Sequence, residues 1–311
     1  MSADGVFFTV FTPTFNRAHT LGRVRESLEA QTCGDFEWLV VDDGSEDGTE
    51  ALMRGWMAEG KLPLRYVRQV HGGAQVAHNT CLREARGQVV IKLDSDDGCV
   101  PQALERLKTL WEEIPAVERE RFSGLTVLCE DQQGQLVGTP FPCSPLDCST
   151  AELEYRYRVR GEKWGFVRTD LLRRYPLPED VRGHYVPESF VWARLAQEFL
   201  TRHVNERLRI YWMDAPSLVH GPLDPRVNAD GHRLLFETVL NLEAPWVRVA
   251  PLRLLRAAAQ FARFSWLSGQ GMGKQWRALR PGLPRLLWVV GLPVAGALRL
   301  RDAVMAWRRR N

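Results

Sequence analysis

Short apolar runs alternate with helically spaced ones along the first third of the chain. Val6-Phe7-Phe8-Thr9-Val10-Phe11 is β-branched and aromatic throughout, the composition of a strand. Behind it Leu21, Val24 and Leu28 recur at the spacing of one helix face, with Thr20 placed to cap the N-terminus. The unit then repeats, with strands predicted over 36–41, 64–67 and 88–93 and helices over 49–58, 74–86 and 101–112. In the last of these helices Leu104, Leu107 and Trp111 share one side. Alternating β and α units of this length predict an α/β fold, a Rossmann-like, mostly parallel sheet flanked by helices. Such sheets bind ligands outside the carboxyl ends of their strands, so function is expected in the loops after Phe11, Val41 and Leu93. Further on, 122–148 breaks into short strands and Gly- and Pro-rich turns, and helices are predicted over 169–174, 187–201 and 232–242.

Charge alters the picture at the carboxyl end. Residues 248–311 hold thirteen Lys and Arg and a single acid, Asp302, which leaves 28 bases against 37 acids in residues 1–247. The shift places a boundary near Pro245: a body over 1–245, with a first half over 1–115 that holds the repeated β and α units and a second half over 116–245, and a basic helical extension over 246–311. Within that extension the apolar run from Leu286 to Leu298 is 13 residues long and contains Pro293, too short to span a bilayer as one straight helix. The six cysteines never fall in a C-x-x-C pair, which argues for reduced, buried thiols rather than zinc or disulfides. Residues 1–12 lack the basic and small-residue pattern of a signal peptide, so a cytoplasmic location is expected.

The candidate chemistry lies at two strand ends. Asp94-Ser95-Asp96-Asp97 follows the apolar run Val89-Val90-Ile91-Lys92-Leu93, and Asp42-Asp43-Gly44-Ser45 follows Trp38-Leu39-Val40-Val41. Strand alternation puts Asp94 and Asp96 on one face, where neighbouring carboxylates repel unless a cation sits between them or one is protonated. Oxygen ligands of this kind suit Mg²⁺ or Mn²⁺ with positions open for phosphates. A D-x-D triplet alone is more often a solvated acidic turn; two acid clusters at equivalent strand ends are far less common by chance. An EF-hand is excluded, because counting from Asp43 the twelfth position is Arg54, and counting from Asp94 the sixth is Cys99.

Taken in order, Thr12-Pro13-Thr14-Phe15-Asn16-Arg17, Val40 through Thr49, Gly72-Gly73-Ala74 through Asn79, and Ala85-Arg86-Gly87 through Asp97 resemble the successive signatures of family 2 glycosyltransferases. The resemblance implies the GT-A fold and inverting transfer of a sugar from a nucleoside diphosphate, UDP in the first instance, to a hydroxyl on a glycan or lipid-linked glycan. It implies a donor site of Thr12, Pro13, Thr14, Asn16, Arg17, Asp43, Gly73, Asn79, Lys92, Asp94 and Ser95, with Mg²⁺ or Mn²⁺ on Asp94, Asp96 and Asp97. The chain departs from the family at His78-Asn79, where relatives usually carry an arginine before the asparagine; either the cationic contact to the donor is weaker or pH-dependent, or Arg83 or Lys92 supplies it, and His78 reads equally as a helix-surface residue.

The segment from Gly183 to Leu195 is similar to the acceptor stretch of a bacterial subgroup, with Glu188 in the position of the general base and His184 where an acid is common. Pro187 suits a first helical position, which puts Glu188 in the first turn; an acid there is also an ordinary N-terminal helix residue. Glu179-Asp180 is the rival pair. Trp164 is the aromatic expected to meet an acceptor sugar, against the alternative of core packing. His220 is a candidate further metal ligand or a surface histidine. The extension suits either an anionic membrane surface or packing as a helical subdomain. No nucleic-acid motif accompanies its charge. Two rivals are a nucleotidyltransferase, whose Gly-rich opening loop is absent, and a catalytically silent nucleotide-binding or membrane-docking protein.

Overall fold

A computed structural model describes residues 5–214 and 225–308 of the chain. Two compact units are present, one formed by residues 1–176 and 198–221 and the other by 177–197 and 222–311. The division differs from the charge-based boundary at 245, because residues 177–197 and the helix before Pro245 group with the basic extension.

The first unit contains β1 (Phe8–Thr14), α1 (Leu21–Glu29), β2 (Phe36–Asp42), α2 (Thr49–Glu59), β3 (Leu64–Arg68), α3 (Ala74–Glu84), β4 (Val89–Lys92), β5 (Gly98–Cys99), α4 (Ala103–Glu112), β6 (Phe122–Asp131), β7 (Leu146–Cys148), α5 (Thr150–Tyr155), β8 (Lys163–Arg168) and α6 (Thr169–Leu172). The second unit opens with α7 (Ser189–Leu195), after which the chain returns to the first for β9 (Leu200–Tyr211). The strands described form one sheet in the order β3-β2-β1-β4-β8-β6-β9-β5, with β7 also on β9. Its first four strands are parallel, and the rest is mixed, with β8 antiparallel to both β4 and β6.

Periodicity finds its cause in burial. Leu21, Val24 and Leu28 on α1 and Leu104, Leu107 and Trp111 on α4 all face the core, and every residue of β2 is buried. One of those is Glu37, whose carboxylate accepts from the Thr9 hydroxyl at 2.7 Å, Arg65 at 2.9 Å and the Arg86 backbone N–H at 2.6 Å. A buried acid with all these donors carries no unsatisfied desolvation cost. Thr20 precedes α1 as expected but does not cap it; its hydroxyl donates back to the Arg17 carbonyl at 3.2 Å. The helix predicted over 187–201 stops at Leu195, and β9 begins at Leu200. The six cysteines are free; Cys81, Cys99, Cys129 and Cys148 are buried, whereas Cys33 is half-buried and Cys143 exposed.

In the second unit α7 is joined by α8 (Ala229–Glu243), α9 (Pro251–Leu267), α10 (Met272–Ala278) and α11 (Leu283–Arg308). Helix α11 passes through Pro293 without a break, so the apolar run is part of one long helix and not a 13-residue fragment. Leu283–Met305 is long and apolar enough to cross a membrane by length and composition. One face of α11 is nonetheless used by α9: Leu287, Trp288 and Ala295 are buried, Gly291 lies against Ala258 and Ala259, and Arg263 forks onto Asp302 at 2.6 and 2.7 Å.

Candidate functional site

From β1 the chain runs outward through β2 and β3, then returns on the far side of β1 as β4. The gap between the carboxyl ends of β1 and β4 is therefore the switch point of the sheet, where open α/β folds bind ligands. Both the Thr14–Arg17 turn and the acidic turn at 94–97 lie at this edge. Hydrogen bonds tie the neighbouring loops into one rim. The Asp43 N–H donates to the Thr14 carbonyl at 2.9 Å, the Asn16 N–H to the Ser45 hydroxyl at 2.8 Å, and the Glu46 N–H to Asn16 Oδ1 at 2.8 Å. Asn16 makes both contacts from a left-handed backbone, φ 54°, a conformation asparagine tolerates better than most residues. Two polar atoms at this rim, Thr14 Oγ1 and Gln75 Oε1 in the first turn of α3, are buried with no hydrogen-bond partner among the described residues. Buried orphans of this kind call for a polar ligand or water.

The acidic turn is built differently from the expectation. Arg209, on β9 and only 5% exposed, inserts its guanidinium between two of the aspartates. Its Nη2 lies 2.7 Å from Asp94 Oδ2 and also contacts Asp97 Oδ2, which Nε reaches at 2.9 Å. The other oxygens are engaged as well: Asp94 Oδ1 by Lys92 Nζ at 3.0 Å, Asp97 Oδ1 by the Trp212 N–H at 2.8 Å. Burial works against ionisation of Asp94, but the charges of Lys92 and Arg209 outweigh it and hold that carboxyl well below the usual range. For Asp97 burial prevails over Arg209 and pushes the pKa up to about 6.

A cage of three carboxylates around Mg²⁺ or Mn²⁺ does not fit this arrangement, because every oxygen of Asp94 and Asp97 already accepts from a cation or an N–H. Among the described residues no cluster of three or more His, Cys, Asp or Glu side chains is arranged to hold a metal. Asp96 is the exception within the turn: it is half-buried, and the contact shown for it is through its carbonyl, which accepts from Arg23 Nη1 at 3.2 Å. Arg23 in turn forks onto Asp214 at 2.7 and 2.9 Å and lies over the Trp212 ring at 4.2 Å, so α1 and the end of β9 clasp the turn from outside.

Several expected ligand residues have other tasks. Thr12 is fully buried and its hydroxyl accepts from the Trp38 indole at 3.0 Å, since its side chain falls on the core face of β1. Asp43 does not project outward: Oδ1 accepts from Gln69 at 2.7 Å and the Gly72 N–H at 2.9 Å, and Oδ2 from the Gly73 N–H at 2.8 Å with His71 Nδ1 at 2.8 Å. It shapes the loop that starts α3. There Gly73 has φ 97°, which a side chain would strain. Trp164 is a core residue at 3% exposure, its N–H donating to the Lys92 carbonyl at 2.6 Å, so it is not offered to a sugar. Of the remaining donor residues, Pro13 and Arg17 are half-buried, while Asn79 and Ser95 are buried. Arg83 is exposed and donates to Thr80 at 2.7 Å. Glu188 and His184 belong to the second unit, Glu188 half-buried as the residue preceding α7 and His184 exposed. His220 lies outside the described residues.

Arg209, Arg23, Trp212 and Asp214 were not legible beforehand. Arg209 is 112 residues from Asp97, and the one sequence signal is an arginine alternating with Leu208 and Ile210 in a strand.

Residues 9–128 match the sequence model of the family described as Glycosyl transferase family 2. The chain is 27% identical over 165 residues, 53% of its length and 39% of the relative's, to the Escherichia coli K12 protein named uncharacterized glycosyltransferase YibD. It is 35% identical over 101 residues, 32% of its length and 31% of the relative's, to the poly(ribitol-phosphate) beta-N-acetylglucosaminyltransferase TarP of Staphylococcus aureus N315. The matched stretches thus span well under half of these curated relatives. The fold is similar to that of S. aureus TarS residues 1–349, solved in complex with UDP, at TM-score 0.63 and 18% identity, covering 98% of this chain and 92% of that one. The segment that builds β1 to β4 and the acidic turn, residues 9–128, is thus the part of the chain that is similar to Glycosyl transferase family 2.

Proposed function

We propose that the chain is an inverting GT-A glycosyltransferase that moves a sugar from a nucleoside diphosphate, UDP-linked, to a hydroxyl of a glycan or lipid-linked glycan. The observation that carries this reading is the rim at the β1/β4 switch point, where the family's loops meet and where Thr14 Oγ1 and Gln75 Oε1 are buried unpartnered. The relatives support the substrate class: TarP is named a beta-N-acetylglucosaminyltransferase, and a 31% identical E. coli relative, WfgD, is named a UDP-Glc:alpha-D-GlcNAc-diphosphoundecaprenol glucosyltransferase. Thr14, Asn16, Arg17, Gly73, Asn79, Lys92 and Ser95 line the donor pocket. A divalent cation has one protein carboxylate here, Asp96, with donor phosphates and water completing its shell, a mode Mg²⁺ commonly adopts. When bound it offsets charge on the departing diphosphate. Glu188 removes the proton of the acceptor hydroxyl.

A panel of nucleotide sugars screened for thermal stabilisation and then for transfer tests the reading. A ligand bound only by the folded chain at one hundred times its Kd adds roughly 2.7 kcal/mol. A UDP-sugar is expected to raise Tm and to be consumed with an oligosaccharide or lipid-linked acceptor. Stabilisation without turnover of any donor would leave the silent nucleotide-binding protein in its place.

The second unit is the membrane-facing part in this proposal. The face of α11 away from α9 exposes Leu286, Val289, Val290, Val294, Leu300 and Val304, with Arg285, Arg299 and Arg301 beside them. An apolar stripe bordered by cations lies in the plane of an anionic bilayer, at the cytoplasmic face, each cation contributing about 1 kcal/mol. Flotation with phosphatidylglycerol vesicles should carry the protein up, and Val290→Glu should weaken it; equal flotation of wild type and variant, or none, removes the proposal.

A further inference from the structure

Asp94 and Asp97 face each other across the acidic turn, and the charge that reconciles them is covalently part of the chain. Arg209 is nearly inaccessible, its planar fork meets Asp94 and Asp97 together, and Lys92, two positions before the turn on the strand side, adds a second cation to Asp94. Three carboxylates at 94–97 therefore meet two cations, and the one uncompensated negative charge is that of Asp96. A divalent ion held between Asp94 and Asp97 would sit against a buried guanidinium that cannot lose its proton, two like charges in one space.

We propose that Arg209 takes, between Asp94 and Asp97, the place of a divalent cation, so that the acidic turn is assembled without metal and Asp96 alone among its carboxylates is left to meet a cation arriving with the donor diphosphate. Arg209 is then a positioning residue. It reaches the turn from β9, whose continuation supplies the Trp212 N–H to Asp97 and, through Asp214 and Arg23, a donor to the Asp96 carbonyl. One rigid framework thus fixes the backbone on which Asp96 is carried. The inference concerns metal binding and not sugar transfer, so it is decided by a measurement that needs no turnover.

Free Mn²⁺ is counted by its paramagnetic resonance signal while the full chain is titrated, first alone and then with UDP. Alone, the wild type is expected to take up no Mn²⁺ at protein and metal concentrations near about 0.1 mM, as for a site with a single carboxylate. With UDP, uptake should appear, fall about tenfold or more in Asp96→Asn, and change less than about twofold in Asp97→Asn. Arg209→Met should create uptake by the protein alone. Because that variant leaves two inward carboxylates without their partner and can fail to fold, the Asp97→Asn comparison decides by itself. Uptake by the wild type without nucleotide, or loss in Asp97→Asn equal to that in Asp96→Asn, overturns the proposal.

Discussion

Glu188→Gln is expected to lower kcat by about 10² to 10⁴ while the affinity for the donor stays within about twofold of wild type. The amide keeps the size of the carboxylate and removes its capacity to take a proton. The backbone here is held independently of that side chain, since the Glu188 carbonyl accepts from the Val191 N–H at 2.8 Å and the Trp192 N–H at 3.3 Å. Folding of α7 is therefore expected to survive the change. Donor affinity should be insensitive because Glu188 is not among the residues assigned to the donor. Kinetics at saturating donor, with donor affinity from thermal shift, separate the two terms. A kcat within about threefold of wild type would remove Glu188 as the base, and Glu179 and Asp180, both exposed, would be tested next.

The first half of the sheet was legible because its signals are local. Leu21, Val24, Leu28, Leu104, Leu107 and Trp111 lie at helical spacing and all are buried, and the runs ending at Phe11, Val41 and Leu93 are strands or lead directly out of them. Strand β9 was not, because Arg202, Glu206, Arg207 and Arg209 interrupt any apolar alternation. Distant partners satisfy three of these charges: Arg202 forks onto Asp147, Glu206 is held by Arg106, and Arg209 by the acidic turn. Tertiary pairing of this kind overrides local propensity and leaves no trace in spacing. Adjacent aspartates repel unless a cation lies between them or one is protonated, and between Asp94 and Asp97 lies the guanidinium of Arg209 from β9. Trp164 and Thr12 read as ligand residues because a motif fixes position along a strand but not which face a side chain takes. Pro293 was read as a break, yet it is exposed, where the carbonyl that loses its partner can meet solvent.

Gly87→Ala is expected to destabilise the first unit by roughly 3 kcal/mol, the upper end of what forcing atoms into a filled space costs. The reason is space and not conformation, since Gly87 does not occupy the left-handed region. A Cβ there would stand 2.3 Å from the Thr9 backbone nitrogen and 2.6 Å from the Phe8 carbonyl carbon, atoms of β1 that cannot swing aside like a flexible side chain. The site is also locked by hydrogen bonds: the Gly87 N–H donates to the Thr9 hydroxyl at 2.9 Å, and its carbonyl accepts from the Thr169 hydroxyl at 2.7 Å. Relief therefore means parting β4 from β1, the two strands whose carboxyl ends form the switch point, so donor binding should weaken along with Tm. Gly22→Ala is the control, a helical glycine on α1 with nothing within 4 Å of the added carbon. There the same methyl should stabilise by about 0.5 to 1 kcal/mol through helix propensity. Calorimetry on both variants reads the contrast directly: Gly87→Ala melting with the wild type would mean that β1 and β4 yield without cost, and the close approach would then have no part in holding the site together.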